Sequence, residues 1–214
     1  MKQDVIKDIE QYKIITILRG LTKEEILKTV DAMVKGGIKL VEVTFDQTGK
    51  IPDETTAENI SAITTTFKGI VRVGAGTIMT ERQVELAKNA GAEFIISPDC
   101  YEPVIKRTLE LDMVSIPGVF TPSEAANSYR YGADFAKLFP NSELGISYLK
   151  ALTAPLAHIK FLAVGGVNVD NVKSYLDAGA KGVGVASGIA DKTAIKNGEY
   201  EKITELAKKF TEQI

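Results

Sequence analysis

The chain has 214 residues, 44% of them apolar, and its 26 basic and 28 acidic residues give a net charge of −2. This balance excludes a basic nucleic-acid-binding surface, and no apolar run approaches the ~20 residues that a membrane span needs. We therefore expect no nucleic-acid or membrane partner. The polar stretch 1–13 does not resemble a targeting segment, and we expect one domain over residues 1–214, located in the cytoplasm.

Short apolar segments, rich in β-branched and aromatic residues, recur along the chain between turn residues and predict strands. The predicted strands are 14–18, 40–45, 70–74, 94–97, 113–117, 135–139, 161–164 and 182–186. Amphipathic segments between them predict helices, for example 23–35, 80–90, 122–131 and 169–178. The tail from Asp191 onward is predicted to be a loop followed by a closing helix.

Capping signals mark several predicted helix starts. Thr22 precedes Glu25 at the spacing of a capping box, and Thr121 stands in the same relation to Glu124. Asn168 is expected to cap the helix after the Gly165-Gly166 pair. Thr80 is a further N-cap candidate.

A glycine ends each of four predicted helices, and each of these helices precedes an even-numbered strand. The four glycines are Gly37, Gly91, Gly132 and Gly179. The first and last lie 142 residues apart and enclose six strand–helix units, so a unit takes about 24 residues. Eight units need about 190 residues. The arithmetic favours a single (β/α)₈ TIM barrel with an extra N-terminal helix. A doubly wound open sheet is the alternative, but Leu18-Arg19-Gly20-Leu21 is not its dinucleotide fingerprint.

Two charged residues are expected to face the barrel interior. Alternation along the second strand turns Val41 and Val43 outward and Glu42 inward, and the same rule turns Lys137 inward on the sixth. A structural ion pair would account for both residues. Their position near the strand ends, where barrel active sites lie, favours catalysis. An apolar pocket lowers a lysine pKa and leaves a nucleophilic amine.

Further polar signals lie at the ends of other strands. Gly165 and Gly166 end the seventh strand and Ser187 ends the eighth, where barrels often hold a phosphate, although glycines also simply permit tight turns. Arg19, Thr77 and Pro98 end the first, third and fourth strands. Taken alone, each of these three residues fits a surface or capping role as well as it fits a role in substrate binding.

The single cysteine and the single histidine do not suggest a separate site. Cys100 would need a histidine base to act as a nucleophile. The single histidine, His158, precedes the basic segment Ile159-Lys160, and nothing in the sequence relates it to Cys100. We expect both to be structural residues. One histidine and one cysteine make a zinc site improbable, and no metal or cofactor is expected.

Together these segments resemble the 2-keto-3-deoxy-6-phosphogluconate (KDPG) aldolase and 4-hydroxy-2-oxoglutarate (KHG) aldolase family, over residues 14–187. The matching stretches are Ile17-Leu18-Arg19, Gly36-Gly37-Ile38, Val41-Glu42-Val43-Thr44, Gly74-Ala75-Gly76-Thr77, Ile95-Ile96-Ser97-Pro98, Ile116-Pro117-Gly118, Thr121-Pro122-Ser123-Glu124, Lys137-Leu138-Phe139-Pro140 and Gly165-Gly166-Val167. Their order and their placement on strands make the resemblance specific.

The resemblance implies a metal-independent class I aldolase that forms a homotrimer. Its substrate would be a phosphorylated 2-keto-3-deoxy sugar acid such as KDPG, cleaved to pyruvate and glyceraldehyde 3-phosphate, with 4-hydroxy-2-oxoglutarate as a further substrate. By this resemblance Lys137 would be the Schiff-base lysine, and Glu42 would act as acid and base through a water. Thr77 would contact the substrate carboxylate, and Arg19 would grip the substrate. Phe139 would be the aromatic residue beside the lysine, and the distal phosphate site would contain Gly165, Gly166 and Ser187. Pro98 would line the substrate site.

Two positions depart from the family pattern. Some members carry an arginine shortly after the second-strand glutamate, where this chain has Asp46, and many have a threonine where it has Val164. Two rival functions stay open, and the departures at Asp46 and Val164 favour only the second of them. One is a phosphosugar isomerase or epimerase that uses Glu42 without a covalent lysine, and the other is a non-catalytic paralogue.

Overall fold

Residues 2–214 are described in a computed structural model. Nine parallel strands are present, and helices separate all consecutive pairs except the fifth and sixth. The strands are β1 (Ile14–Leu18), β2 (Leu40–Thr44), β3 (Arg72–Gly76), β4 (Phe94–Ile96), β5 (Val114–Ile116), β6 (Gly118–Val119), β7 (Ala136–Leu138), β8 (Phe161–Val164) and β9 (Gly182–Val185). They form one sheet in the order β5-β4-β3-β2-β1-β9-β8-β7-β6.

The helices cover the outside and the bottom of this sheet. They are α1 (Lys2–Tyr12), α2 (Lys23–Lys35), α3 (Asp53–Thr66), α4 (Glu81–Asn89), α5 (Glu102–Glu110), α6 (Pro122–Arg130), α7 (Gly145–Thr153), α8 (Val172–Asp177), α9 (Lys192–Asn197) and α10 (Tyr200–Thr211), with a 3₁₀ turn at Asn141–Glu143. The predicted barrel with an extra N-terminal helix is confirmed. Within residues 2–214, no helix combines the length and apolar character needed to traverse a bilayer.

Proline explains why nine strands make an eight-fold barrel. Pro117 separates β5 from β6, and a proline has no N–H to donate to a sheet ladder. β5 pairs with β4, and β6 pairs with β7. The carbonyl of Pro117 still accepts from the Lys137 N–H at 2.8 Å. The fifth barrel strand is thus one continuous stretch that pairs with one neighbour on each half and closes the ring.

The N-terminal helix seals the lower end of the barrel. Val5, Ile6 and Ile9 of α1 are buried in one cluster with Phe135, which directly precedes β7, and with side chains of five strands: Ile15, Leu40, Phe94, Val114 and Leu162. Fully burying one such aliphatic side chain stabilises by about 1.5–3 kcal/mol. This apolar layer closes the lower end of the barrel.

An ion-pair network connects α1 to the start of β3. Arg72 of β3 contacts Asp8 and Glu93, each at 2.6 Å, and its side chain is 32% exposed. We expect Arg72→Ala to lower the free energy of unfolding by about 1–2 kcal/mol, discounted for partial exposure. Urea unfolding measures it. Arg82→Ala is the control, because the Arg82 side chain is 62% exposed and its pairs with Asp53 and Glu54 are solvated. Equal losses in both variants would contradict the prediction.

Most local predictions hold and three are wrong. Both predicted capping boxes are present, and Thr80 caps α4. The third strand begins at Arg72, not residue 70, because a turn through Gly69 (φ +74°) leaves Ile70 exposed. The tail contains α9 where a loop was expected. The side chain of Asn168 accepts hydrogen bonds from the N–H groups of Asp170 and Asn171 in a turn before α8, and the N-cap of α8 is Asn171.

Candidate active site

Glu42 and Lys137 are the two charged side chains that the sheet carries into the barrel. Glu42 is 3% exposed and Lys137 is 7% exposed. Their neighbours Val41, Val43 and Ala136 belong to the outer apolar core with the helices. The alternation argument is therefore correct for both strands. The two ionisable groups lie above the apolar layer that α1 seals.

A glycine of the neighbouring strand makes room for the carboxylate. Gly76 pairs with Thr44 across the β2–β3 ladder. A Cβ atom built on Gly76 would lie 1.6 Å from Oε1 of Glu42 and 2.4 Å from its carboxyl carbon. The carboxylate thus rests directly against the Gly76 backbone. No larger residue fits at this position while Glu42 keeps its conformation.

This contact yields a prediction about Gly76→Ala. The added methyl must displace the Glu42 carboxylate, and a displacement of about 1 Å at a reacting group can cost 10²-fold in rate. We expect turnover per folded molecule to fall by about that factor. Gly74→Ala is the matched control on the same strand, since its methyl would meet the Phe94 ring in the sealed layer. That control should lose stability rather than turnover. Normal turnover in folded Gly76→Ala would refute the contact's importance.

The environment pushes both groups toward their neutral forms. Burial lowers the pKa of Lys137, opposed by the negative charge of Glu42 and reinforced by the positive charge of Arg19. Burial raises the pKa of Glu42, opposed by the charges of Lys137 and Arg19. No side-chain oxygen of Glu42 lies within 4.0 Å of the Lys137 Nζ, so the two residues form no salt bridge. Desolvation therefore affects both pKa values more than the mutual attraction of the two charges does. An amine and a carboxyl group that are both shifted by burial toward their neutral forms are suited to covalent catalysis.

Phe139 lies beside the lysine, as predicted. The Lys137 Nζ is 4.5 Å from the centre of the Phe139 ring, and the ring is partly exposed at the mouth of the barrel. A ring face stabilises a cation modestly. It also provides apolar surface on the solvent side of the amine. Lys137 therefore lies between a sealed interior and an aromatic rim.

A cavity of about 190 Å³ adjoins this centre, between the loops that follow β1 and β9. Arg19, Ser187 and Lys192 supply its polar groups, and its apolar lining is Ile17, Leu21, Ala186, Ala190 and Ile195. Among the described residues, neither Arg19 nor Lys192 has a carboxylate within 4.0 Å. Two unpaired cations and a hydroxyl around one cavity favour an anionic ligand.

The other predicted residues lie along the same edge of the barrel. Thr77 follows β3 with a left-handed φ of +56°, which is uncommon for a β-branched residue. Pro98 follows β4, and its carbonyl packs against Gly118. Gly165 and Gly166 have φ values of +101° and +73° and pack against the turn that starts at Asn141. None of these four lines the cavity beside Ser187.

The two departures from the family pattern have local structural consequences. The Asp46 carboxylate accepts hydrogen bonds from the N–H groups of Thr48, Lys50 and Ile51 and from the Thr48 hydroxyl, all within its own loop. These bonds lower the pKa of Asp46 to about 2. Asp46 therefore folds the loop and leaves anion contact to other residues. Val164 is buried, with its side chain against Gly184.

Cys100 and His158 lie apart from this centre. Burial raises the pKa of the Cys100 thiol to about 11, with the charges of Glu124 and Asp99 adding to the shift. The ring of His158 packs edge-on against Tyr129, with ring centres 4.7 Å apart. A protonated thiol is a poor nucleophile. Within residues 2–214 no group of three or more His, Cys, Asp and Glu residues is placed to hold a metal.

Sequence reasoning missed two residues near the mouth. Lys192 joins Arg19 and Ser187 at the cavity because α9 begins immediately after Asp191. Gln47 donates from Nε2 to the carbonyl of Thr77 at 2.8 Å. For Gln47, the sequence offers one signal, which is a polar residue shortly after Glu42 of the second strand. Nothing local in the sequence indicates the position of Lys192.

The fold and this centre are those of a (β/α)₈-barrel enzyme with its active site at the carboxyl ends of the strands. Comparison with known proteins identifies the family. The family model described as KDPG and KHG aldolase matches residues 5–206. The chain belongs to this family, whose members are aldolases.

Individual relatives support the same assignment. The 2-dehydro-3-deoxy-6-phosphogalactonate aldolase of Escherichia coli K12 is 34% identical over 175 residues, covering 81% of this chain and 82% of the relative. The KHG/KDPG aldolase of the same organism is 31% identical over 190 residues, covering 88% and 86%. A crystal structure of KDPG aldolase from Legionella pneumophila, with pyruvate captured as a covalent carbinolamine, superposes with a TM-score of 0.85 at 30% identity, covering 95% of this chain and 96% of that one.

Proposed function

We propose that this chain is a class I aldolase that cleaves a 2-keto-3-deoxy sugar acid through a Schiff base on Lys137. The observation that carries the proposal is the Lys137 amine, buried, with its pKa lowered, in one interior with a buried carboxyl group whose pKa is raised. This pairing supplies a nucleophile and a proton carrier without a metal. We further propose that residues 1–214 form one catalytic domain.

The reaction begins with attack of the neutral Lys137 Nζ on the C2 carbonyl of the substrate. The resulting carbinolamine loses water, with Glu42 in its protonated form donating to the departing hydroxyl. The protonated imine then withdraws electrons from C3. Burial raises the pKa of Glu42 and so favours its protonated form; this residue can therefore serve this step as an acid and, once it has given up the proton, the next step as a base.

Carbon–carbon cleavage follows from the same two residues. The Glu42 carboxylate takes the C4 hydroxyl proton through a water, the C3–C4 bond breaks, and its electron pair moves into an enamine. The aldehyde product leaves. Protonation at C3 restores the imine, and hydrolysis releases pyruvate and the free amine of Lys137.

The family and the named relatives favour KDPG, its galactonate counterpart, or 4-hydroxy-2-oxoglutarate as substrate. The aldehyde products would be glyceraldehyde 3-phosphate or glyoxylate. In this proposal the predicted pyruvyl contacts are Thr77, Pro98 and Phe139, and Arg19 is the substrate-gripping arginine. Gly165, Gly166 and Ser187 would hold the distal end.

We place the distal anion of the substrate near the cavity that contains Arg19, Ser187 and Lys192. Lys192→Ala is expected to raise KM for a phosphorylated substrate about 5- to 10-fold, since an exposed charge-assisted contact is worth about 1–1.5 kcal/mol. KM for the unphosphorylated acid should stay unchanged. Lys196→Ala, one turn further along the exposed face of α9, is the control. Equal effects on both substrates would argue against a distal contact.

A product assay tests the proposed function. The purified protein is given both phosphorylated epimers, the unphosphorylated acid and 4-hydroxy-2-oxoglutarate, and pyruvate release is measured. We expect release from at least one of them. Isomerised product without pyruvate would favour an epimerase, and binding without turnover would favour a non-catalytic paralogue. The homotrimer and the cytoplasmic location remain proposals, and light scattering tests the first.

A further inference from the structure

Thr77 has an unusual backbone at the mouth of the barrel. Its φ of +56° belongs to the left-handed region, which is strained for a β-branched residue and persists only where the surrounding structure holds it. It directly follows Gly76, the residue against which the Glu42 carboxylate rests. Thr77 is half-buried, and no hydrogen bond within residues 2–214 occupies its hydroxyl. Such an outlier at a reactive centre calls for a support.

That support comes from the loop after β2. Two successive carbonyls at the end of β3 accept hydrogen bonds from this loop: Gly76 from the Phe45 N–H at 2.8 Å, and Thr77 from Nε2 of Gln47 at 2.8 Å. The N–H of Ile78 donates in the other direction, toward β4. The peptide after Thr77 is therefore held from both sides. On the β2 side, a single side chain holds it.

The loop itself is fixed, so Gln47 is presented at a defined position. Asp46, its neighbour, accepts from the N–H groups at 48, 50 and 51 and from the Thr48 hydroxyl. Its pKa of about 2 keeps the carboxylate ionised, and the bonds formed, at every pH where the enzyme would work. A rigid loop lowers the entropy cost of holding the Gln47 side chain against Thr77.

We propose that Gln47 is a positioning residue that holds Thr77 in its left-handed conformation and so sets the affinity for the carboxylate of the 2-keto acid. This inference rests on the proposed function, in which Thr77 contacts that carboxylate. Gln47 acts through Thr77 and has no role in the proton transfers. Its loss weakens substrate binding and leaves the chemical steps of Lys137 and Glu42 in place.

The experiment measures pyruvate binding by borohydride trapping at increasing pyruvate concentration, together with kcat and the unfolding temperature. Gln47→Ala removes the donor, and Gln47→Glu replaces it with a charged acceptor. Lys50→Ala is the matched control, because its loop bond uses the backbone N–H alone. We expect half-saturation by pyruvate to rise about 2- to 10-fold in both Gln47 variants, the equivalent of one hydrogen bond. The control should match the wild type.

Two further readouts separate positioning from a general structural role. With positioning, kcat at saturating substrate changes by less than about twofold and the unfolding temperature by less than about 2 °C. Unchanged half-saturation in both Gln47 variants, with or without a loss of stability, overturns the inference while the proposed function stands. Absence of any pyruvate adduct in the wild type overturns the proposed function, and this inference with it.

Discussion

Lys137→Ala is expected to abolish both covalent capture of pyruvate and aldol cleavage. Without the amine no imine forms, so the electron sink for C3–C4 cleavage is absent. A fall in kcat/KM of more than about 10⁴ is expected, because the remaining groups cannot replace a covalent route. The variant should fold, since removing the buried amine leaves a carboxyl group, Glu42, whose pKa burial raises and whose protonated form is thereby favoured.

Borohydride reduction in the presence of pyruvate, followed by peptide mapping, measures this directly. The adduct should appear on the peptide containing Lys137 in the wild type and be absent from the variant. Lys150→Ala, an exposed lysine of α7, should trap as the wild type does. Full lyase activity in Lys137→Ala would refute the Schiff-base assignment.

The trapping rate also has an expected pH dependence. Only the free amine attacks a carbonyl, so the rate rises with pH through the pKa of Lys137. Because burial lowers that pKa below its ordinary 10.5, the midpoint of the rise should lie below pH 10.5. A midpoint at or above that value would show that the charges around the amine outweigh its desolvation.

The sequence predicts the fold well because the rules that determine it act locally. Two-residue alternation and helix-ending glycines such as Gly37 recur in each unit, so errors in one unit do not propagate. The misplaced features depend on non-local geometry. β3 begins after the turn through Gly69, at the point where pairing with β2 starts and the Arg72 N–H donates to the Lys39 carbonyl at 2.8 Å. The short helix α9 is stabilised by contacts with α10 and α2.

The candidate site likewise has one part that local rules predict and another part that they do not. Alternation alone places Glu42 and Lys137 in the interior, and the structure confirms their burial. The seat of the carboxylate on Gly76 and the support of Thr77 by Gln47 are contacts between different strands or loops, about 30 residues apart in sequence. No periodicity records such contacts. They become visible only when the barrel fixes the register of β2 against β3.

Glu42→Gln is expected to separate the acid–base role from the covalent step. The amide has nearly the shape of the carboxyl group and can rest against Gly76, but it cannot exchange a proton. Turnover should fall by about 10² to 10⁴, the usual contribution of a positioned acid–base group. Pyruvate should still be trapped on Lys137, more slowly, because the amine remains buried and nucleophilic.

A second readout tests whether the two groups interact as the geometry indicates. The negative charge of Glu42 raises the pKa of Lys137, opposing desolvation. Removing that charge should therefore lower the pKa of Lys137 and move the midpoint of the trapping rate to lower pH. Glu58→Gln, on the exposed face of α3, should leave both turnover and midpoint unchanged. If Glu42→Gln lost turnover without any change in the midpoint, Glu42 would act on the substrate without electrostatic contact with the lysine.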